Sequence, residues 1–281
     1  MVGCSPLEMD ILTTAIDRAN AEFWDELCGS TFAKSLGITD HSLDSLGRFD
    51  RAYLEFYPYL LKRVGLEDMA GKRVLEVGLG YGTLSQKLAE VAADYTGLDV
   101  AAGPVAMVNY RMRIQGLSGR AIQGSILNAP LTSESFDAVV SVGCFHHTGD
   151  VQRCVDESFR LLKPGGIARV MVYNGLSYRQ WLRWPRRTLA AAVGDRDMPS
   201  GSNVNQRLAY DENSAGVAAP ETVFLSARQL ARMFRRYSHF SCRKENASEL
   251  PFSAHRLIPR RCLLPTLGRL AGLDLYIEAR K

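Results

Sequence analysis

Residues 74–83 read Val-Leu-Glu-Val-Gly-Leu-Gly-Tyr-Gly-Thr, and Asp99 follows seventeen residues after the last of these glycines. Leu75, Val77 and their neighbours have the character of a buried parallel strand. Gly78, Gly80 and Gly82 form a turn without side chains, and 84–91 continues as an amphipathic helix. A strand, a bare turn and a helix N-terminus let a ligand approach the backbone closely. Asp99 ends the next strand-like run, 95–99, where a carboxylate can accept both hydroxyls of a ribose. A tight turn that binds nothing would explain the glycines, but not an acid on either side of them at this spacing.

Two nucleoside cofactors fit this outline, and the glycine spacing separates them. A dinucleotide fingerprint wants glycines at relative positions 1, 3 and 6. Counted from Gly78 the sixth position is Thr83, and from Gly80 it is Ser85. A nicotinamide oxidoreductase is therefore disfavoured. The pattern Glu76-x-Gly78-x-Gly80-x-Gly82 resembles motif I of the class I S-adenosylmethionine-dependent methyltransferases. In that family the acid (Glu76 here) and the glycine turn hold the methionine part of the cofactor, and the acid after the second strand (Asp99) holds the ribose.

More of the chain is similar to the same family. Ala121-Ile122-Gln123-Gly124-Ser125 resembles its third strand and the start of the adenine pocket. Ser125 stands where the family usually has an aspartate that accepts from the adenine amine, a departure that weakens that contact or leaves it to the backbone. The run 135–143 resembles the fourth strand with its F-D-x-V opening, and Leu162-Lys163-Pro164-Gly165-Gly166 the turn before a fifth. Gly165 suits a left-handed helix cap, and Pro164 cannot continue a helix. The resemblance runs in order from about 72 to 174. It implies a Rossmann-like, mostly parallel seven-stranded sheet with helices on both faces. The implied cofactor is S-adenosyl-L-methionine, leaving S-adenosyl-L-homocysteine as product. The cofactor contacts it implies are Glu76, Gly78, Gly80, Gly82, Thr83, Asp99, Val100, Ser125, Ile126 and Gly143.

The residues place strands near 73–77, 94–99, 120–123, 136–142 and 167–173, alternating with helices, one of them at 151–162. Ser226 to Gln229 forms a capping-box pattern that opens a further helix. Strand-like 239–243 and 273–279 would complete the family's closing antiparallel pair. Residues 1–70 read as a helical N-terminal segment, with 11–27 at helical spacing, and 71–281 as the cofactor-binding domain. A lid-like insertion at 175–225 includes the loose polar run 194–202; loops of this length are usually lids, binding elements or disordered.

Composition bounds the rest. The chain has 281 residues and a formal net charge of +4. Residues 174–281 hold 18 basic and 9 acidic side chains, leaving 16 and 21 in 1–173. The basic third suits an anionic substrate, nucleic acid or a membrane surface, or simply a solvated face. Six scattered cysteines (Cys4, Cys28, Cys144, Cys154, Cys242, Cys262) show no metal-ligand spacing. Residues 1–10 carry no signal-peptide core, and no run approaches a membrane span. A cytoplasmic protein is expected, with no membrane span and no metal. A homo-oligomer is left open.

Ligands in an open α/β sheet sit beyond the carboxyl ends of the strands. Strand four ends in Gly143-Cys144-Phe145-His146-His147-Thr148-Gly149-Asp150, strand five in Tyr173-Asn174. Methyl transfer is a one-step displacement that depends on alignment. A hydroxyl or acidic carbon acceptor also needs a general base, a task matched to imidazole near neutrality. His146 and His147 are the sharpest catalytic candidates, with Tyr173 beside them. Small-molecule methyltransferases often carry H-H-x-x-D here, where the histidines can equally fix the loop. Cys144 reads as a packed thiol, and His41, His239 and His255 as surface or core residues. Trp24, Tyr53, Tyr57, Tyr59, Asn174 and Trp181 are candidates for the substrate pocket; aromatic residues at helical spacing serve equally as core.

The N-P-P-Y tetrapeptide of nucleobase and amide methylation is absent after strand four. The favoured expectation is methylation of a small metabolite on O, N or C, in specialised biosynthesis. The competing readings are an RNA methyltransferase using the basic third, and a cofactor-binding protein without transferase activity.

Overall fold

The computed structural model describes residues 15–27, 29–193, 202–253 and 256–281. The 1–10 segment, the start of the expected 11–27 helix, Cys4, Cys28, His255 and most of the 194–202 run lie outside them. Helices α1 (Ala15–Trp24), α2 (Ser30–Ser35), α3 (Leu43–Phe56) and α4 (Leu60–Val64) precede the sheet. Then come β1 (Arg73–Val77), α5 (Thr83–Val91), β2 (Asp94–Asp99), α6 (Ala102–Gln115), β3 (Arg120–Gln123), β4 (Phe136–Val142), α7 (Val151–Leu161) and β5 (Leu162–Tyr173). Helices α8 (Tyr178–Arg183), α9 (Pro185–Val193) and α10 (Val204–Leu208) lie after β5, followed by α11 (Ala227–Met233) and β6 (His239–Glu245). A hairpin of β7 (Leu250–Ser253) and β8 (Arg256–Ile258) precedes β9 (Asp274–Arg280).

The sheet order is β3-β2-β1-β4-β5-β9-β6, with β9 antiparallel to both neighbours and the remaining pairings parallel. Alternation along the strands sends side chains to two cores. Leu75, Val77, Val139, Val170, Val172 and Ile277 face α7 and α11. Val74, Ala138, Val140, Ile167 and Met171 face the layer of α4, α5 and α6. Burial on both faces is why the central strands are so continuously apolar. The order reverses direction between β1 and β4, and a crevice opens at that switch point.

A third cluster fastens the N-terminal helices to the glycine turn. Phe49 of α3 stacks on Tyr81 with ring centroids 4.1 Å apart, and Ala33, Leu46 and Met107 close around them. Beneath it Arg111 of α6, fully buried, donates to both carboxylate oxygens of Asp50 of α3 at 2.9 and 3.1 Å.

Two local expectations change. The helix before β5 ends at Leu161, before the Lys-Pro-Gly-Gly turn. Gly165 is left-handed (φ 76°) but lies inside β5, where its N–H bonds the carbonyl of Lys281, so it shapes an irregular strand start rather than capping a helix. The β7–β8 hairpin has no counterpart in the sequence reading, because Pro251 falls within β7, Pro259 follows β8, and both runs are too short to show alternation. Ser226 and Gln229 do form the full capping box.

Candidate functional site

A cavity of about 530 Å³ opens at the switch point, within the range of small-molecule pockets. At one end lies the glycine turn. Gly78, Gly80 and Gly82 take φ of 81°, 53° and 82°, the left-handed region that side chains strain. A Cβ at Gly78 would also stand 2.5 Å from that of Cys144. The backbone therefore stays bare where β1 feeds α5. Asp99 accepts from the N–H of Leu79 at 2.7 Å through Oδ2 and of Ala101 at 2.9 Å through Oδ1. Each oxygen keeps a second lone pair, enough for a ribose diol. Burial pushes the Asp99 carboxyl up to about 6, against the pull of those N–H donors. Burial pushes Glu76 up to about 7, although Tyr95 donates to it at 2.5 Å. A buried acid so poised is stabilised in its ionised form by a ligand cation.

At the far side of this end, Ser125 caps the turn Ile126–Asn128 by accepting from Leu127 N–H, and it donates to Asp17 of α1 at 3.0 Å. Asp17 lines the cavity and is buried. The sequence reading had left an acid missing at Ser125; a carboxylate reaches that spot from another element. These residues fit a nucleoside-methionine cofactor: a bare cradle, a diol acceptor and buried acids.

The other end gathers chemistry from four separate segments. His147 follows β4. Its Nδ1 lies 2.7 Å from the carbonyl oxygen of Glu221, which can only accept, so Nδ1 carries a proton. Nε2 then holds the lone pair in the neutral ring, and it faces Oδ2 of Asp211 at 3.6 Å. Asp211 is held by Tyr173, whose hydroxyl donates to its Oδ1 at 2.9 Å. Burial drives the Asp211 carboxyl upward, opposed by His147, Tyr173 and Arg179. The Trp24 ring covers His147, centroids 4.9 Å apart, and Asn20 donates to the carbonyl of His147 at 2.7 Å. Helix α1 thus runs over both ends.

Residues 75–170 match the methyltransferase-domain family. The ubiquinone biosynthesis O-methyltransferase of Pseudomonas fluorescens is 36% identical over 186 residues, covering 62% of this chain and 75% of that protein. The chain belongs to the class I S-adenosylmethionine-dependent methyltransferases. The phthiotriol/phenolphthiotriol dimycocerosates methyltransferase of Mycobacterium tuberculosis is 33% identical over 129 residues, 45% of this chain. The match spans 46% of that relative's own length. Among solved structures, a SAM-dependent methyltransferase from Methanosarcina mazei shares the fold at 17% identity, with a TM-score of 0.50 over 75% of this chain and 92% of that one.

In this methyltransferase the residues expected at the cofactor converge: Glu76, Gly78, Gly80, Gly82, Thr83, Asp99, Val100, Ser125, Ile126 and Gly143 all line the cavity. Thr83 spends its hydroxyl on Asp50, at 2.6 Å, clipping α3 to the start of α5. Among the catalytic candidates, His147 and Tyr173 line the cavity and His146 does not. His146 is wholly buried, its ring tilted against those of His147 and Tyr173 with centroids 4.1 and 4.2 Å away, and burial pushes it well below the usual imidazole range. It packs against these two rings and does not reach the cavity. Tyr173 is driven well above the usual phenol range by burial and by Asp211, so it remains a donor.

Trp24, Tyr53 and Tyr57 line the cavity as expected of pocket residues. Asn174 does not: its amide donates to Gly272 and accepts from Leu176, tying β5 to the β9 entrance. Trp181 stands 40% exposed on α8, away from the cavity. Tyr59 does not line it either, and among the described residues of the basic third only Arg179 does. Asp211, Asp17 and Asp274 are the functional candidates that the sequence did not reveal, since none lies in a motif. Among the described residues no group of three His, Cys, Asp or Glu could hold a metal, and no helix is long and apolar enough to cross a membrane.

Proposed function

We propose that this chain methylates a hydroxyl of a small, ring-bearing metabolite, using S-adenosyl-L-methionine, in a biosynthetic pathway of the cytoplasm. The observation that carries this reading is the His147–Asp211 pair on the cavity wall beyond the glycine turn. An amine arriving neutral would need only placement, whereas a hydroxyl needs a proton acceptor. His147 offers that acceptor at Nε2, because the Glu221 carbonyl fixes the proton on Nδ1.

The bound cofactor supplies an electrophilic methyl group on a sulfonium. Attack by an acceptor oxygen would break the methyl carbon–sulfur bond and release S-adenosyl-L-homocysteine, while Nε2 of His147 would take up the oxygen's proton. Asp211, held by Tyr173, balances the imidazolium charge. Trp24 lies over His147 and limits water, which strengthens that pairing. The aromatic walls, including Tyr53, Tyr57 and Phe56, suit a flat ring. Relatives whose names concern ubiquinone, menaquinone and phthiotriol derivatives support the small-molecule class. The N-terminal helices serve as the cap over this compartment, with the segment between β5 and α11 as its second wall.

The test is transfer of label from methyl-labelled cofactor to a panel of phenols, with binding of S-adenosylhomocysteine measured separately by calorimetry. His147→Gln should lower transfer by about 10²–10⁴-fold while changing product affinity little. Equal losses in both would show that His147 serves the cofactor or the fold, and transfer confined to amines would overturn the hydroxyl reading.

A further inference from the structure

The lining of the cavity carries an imbalance that the transfer reaction does not use. Its charged side chains among the described residues are five carboxylates, Asp17, Glu76, Asp99, Asp211 and Asp274, against the single guanidinium of Arg179. That guanidinium is already engaged. Arg179 donates to the carbonyl of Ala209 at 3.1 Å and to Ser248 Oγ at 2.6 Å, and lies 4.5 Å over the Tyr210 ring.

The unsatisfied atoms tell the same story. Among the lining residues, the buried side-chain atoms with no hydrogen-bond partner are Asn20 Oδ1, Asp211 Oδ2 and both oxygens of Asp274. All four are acceptors. The Asn20 amide is oriented by its nitrogen, which donates to His147, so its oxygen is the free end. Asp274 is the extreme case: it is 1% exposed, and it begins β9 directly across from Tyr173 of β5. An acceptor left unmade in a buried site costs free energy that a ligand donor would recover. Glu76 of β1, Asp99 of β2 and Asp17 of α1, which meets Ser125 just after β3, lie where the cofactor is expected; Asp211 and Asp274 stand on the β5–β9 side, where it is not.

We propose that the acceptor compartment selects a ring compound bearing hydrogen-bond donors at two points, the reacting hydroxyl at His147–Asp211 and a second hydroxyl or amine at Asp274, and that it rejects anions. The inference rests on the transferase reading and deepens it by naming what the acceptor must carry. It also reverses the expectation from net charge. Apart from Arg179, the described basic residues of the C-terminal third, Arg183, Arg186, Arg187 and Arg261 among them, do not line the cavity. A carboxylate or phosphate on the acceptor would meet two buried acids, which outnumber the one nearby guanidinium, that of Arg179.

Three probes test this: dopamine, hydroxytyrosol and dihydroxyphenylacetate, which share a catechol ring and end in an ammonium, a hydroxyl and a carboxylate. Each is titrated calorimetrically at pH 8, where the Asp274 carboxyl is ionised, into protein saturated with S-adenosylhomocysteine, whose own binding is measured first. The ammonium and the hydroxyl should bind at least about tenfold more tightly than the carboxylate, and their order tells which donor Asp274 prefers. In Asp274→Asn, which keeps the shape and adds a donor, the carboxylate should gain and the discrimination should collapse. The wild-type ranking stands even where the variant does not fold. Tightest binding by the carboxylate, a ranking unchanged in Asp274→Asn, or binding of none of the three to the product complex would overturn the proposal. Failure of S-adenosylhomocysteine itself to bind would instead strike the transferase reading on which it rests.

Discussion

The buried acids of the anchored glycine turn and of the acceptor compartment have opposite surroundings. Asp50, under the turn, accepts from Arg111 twice and from Thr83. Asp274, at the acceptor end, has no well-formed hydrogen bond to either oxygen, with only the Asn246 amide close by. Burial pushes the Asp274 carboxyl from 3.8 up to about 7, only partly opposed by Asn246, Arg179 and Arg260. The first acid is spent on holding α3, α5 and α6 together, so removing its partner should unfold. The second makes no well-formed hydrogen bond within the fold and is available to a ligand. A buried charge with every partner in place is architecture; one without partners points to something that arrives later.

The largest expected effect tests the paired acid. Arg111→Ala leaves Asp50 buried and uncompensated, and should cost about 3–5 kcal/mol of stability in a denaturant titration. A loss under 1 kcal/mol would mean that water or a rearranged Gln86 replaces the guanidinium. Next comes the ligand-directed acid of the cofactor end. Asp99→Ala should weaken S-adenosylhomocysteine binding by about 1–3 kcal/mol through lost charge-assisted hydrogen bonds. In the wild type that affinity should fall as pH drops through about 6, where Asp99 takes up its proton. The Ala variant should show a flatter profile.

Asp274→Asn should move stability the other way. Below pH 3.8 the carboxyl is protonated in both folded and unfolded chains. Between there and about 7 the unfolded chain releases the proton and the folded one keeps it, so wild-type stability declines as pH rises. The ligand-free variant escapes that decline, and should be more stable than wild type by about 1–3 kcal/mol at pH 8, with the gap closing near pH 4. Denaturation at the two pH values checks it, and a destabilised variant at pH 8 would mean that Asp274 supports the fold. The smallest effect is Trp181→Ala, which should change stability by no more than about 0.5 kcal/mol and leave probe binding untouched, because that ring stands at the surface.

Legibility in the sequence followed the same division. The five strands from 73 to 173, the glycine cradle and Asp99 could be read directly, because strand periodicity and glycine turns are written in neighbouring residues. The capping box at Ser226 was readable for the same reason. Asn174 and Trp181 looked like pocket residues from their position after strand five, yet Asn174 turns into the β5–β9 seam and Trp181 outward. His146 and His147 are indistinguishable as letters; a short helical turn at Phe145–His147 sends one ring into packing and the other to the cavity.

By itself, then, the sequence determined the α/β frame, the cofactor family and the place of the crevice, since each depends on backbone conformations that adjacent residues dictate. Tertiary structure alone decided the acceptor end. Asn20 meets His147 across 127 positions, and His147 meets the Glu221 carbonyl across 74. Which acids end up paired and which are left facing a cavity depends on how those distant segments pack, and no local pattern encodes it.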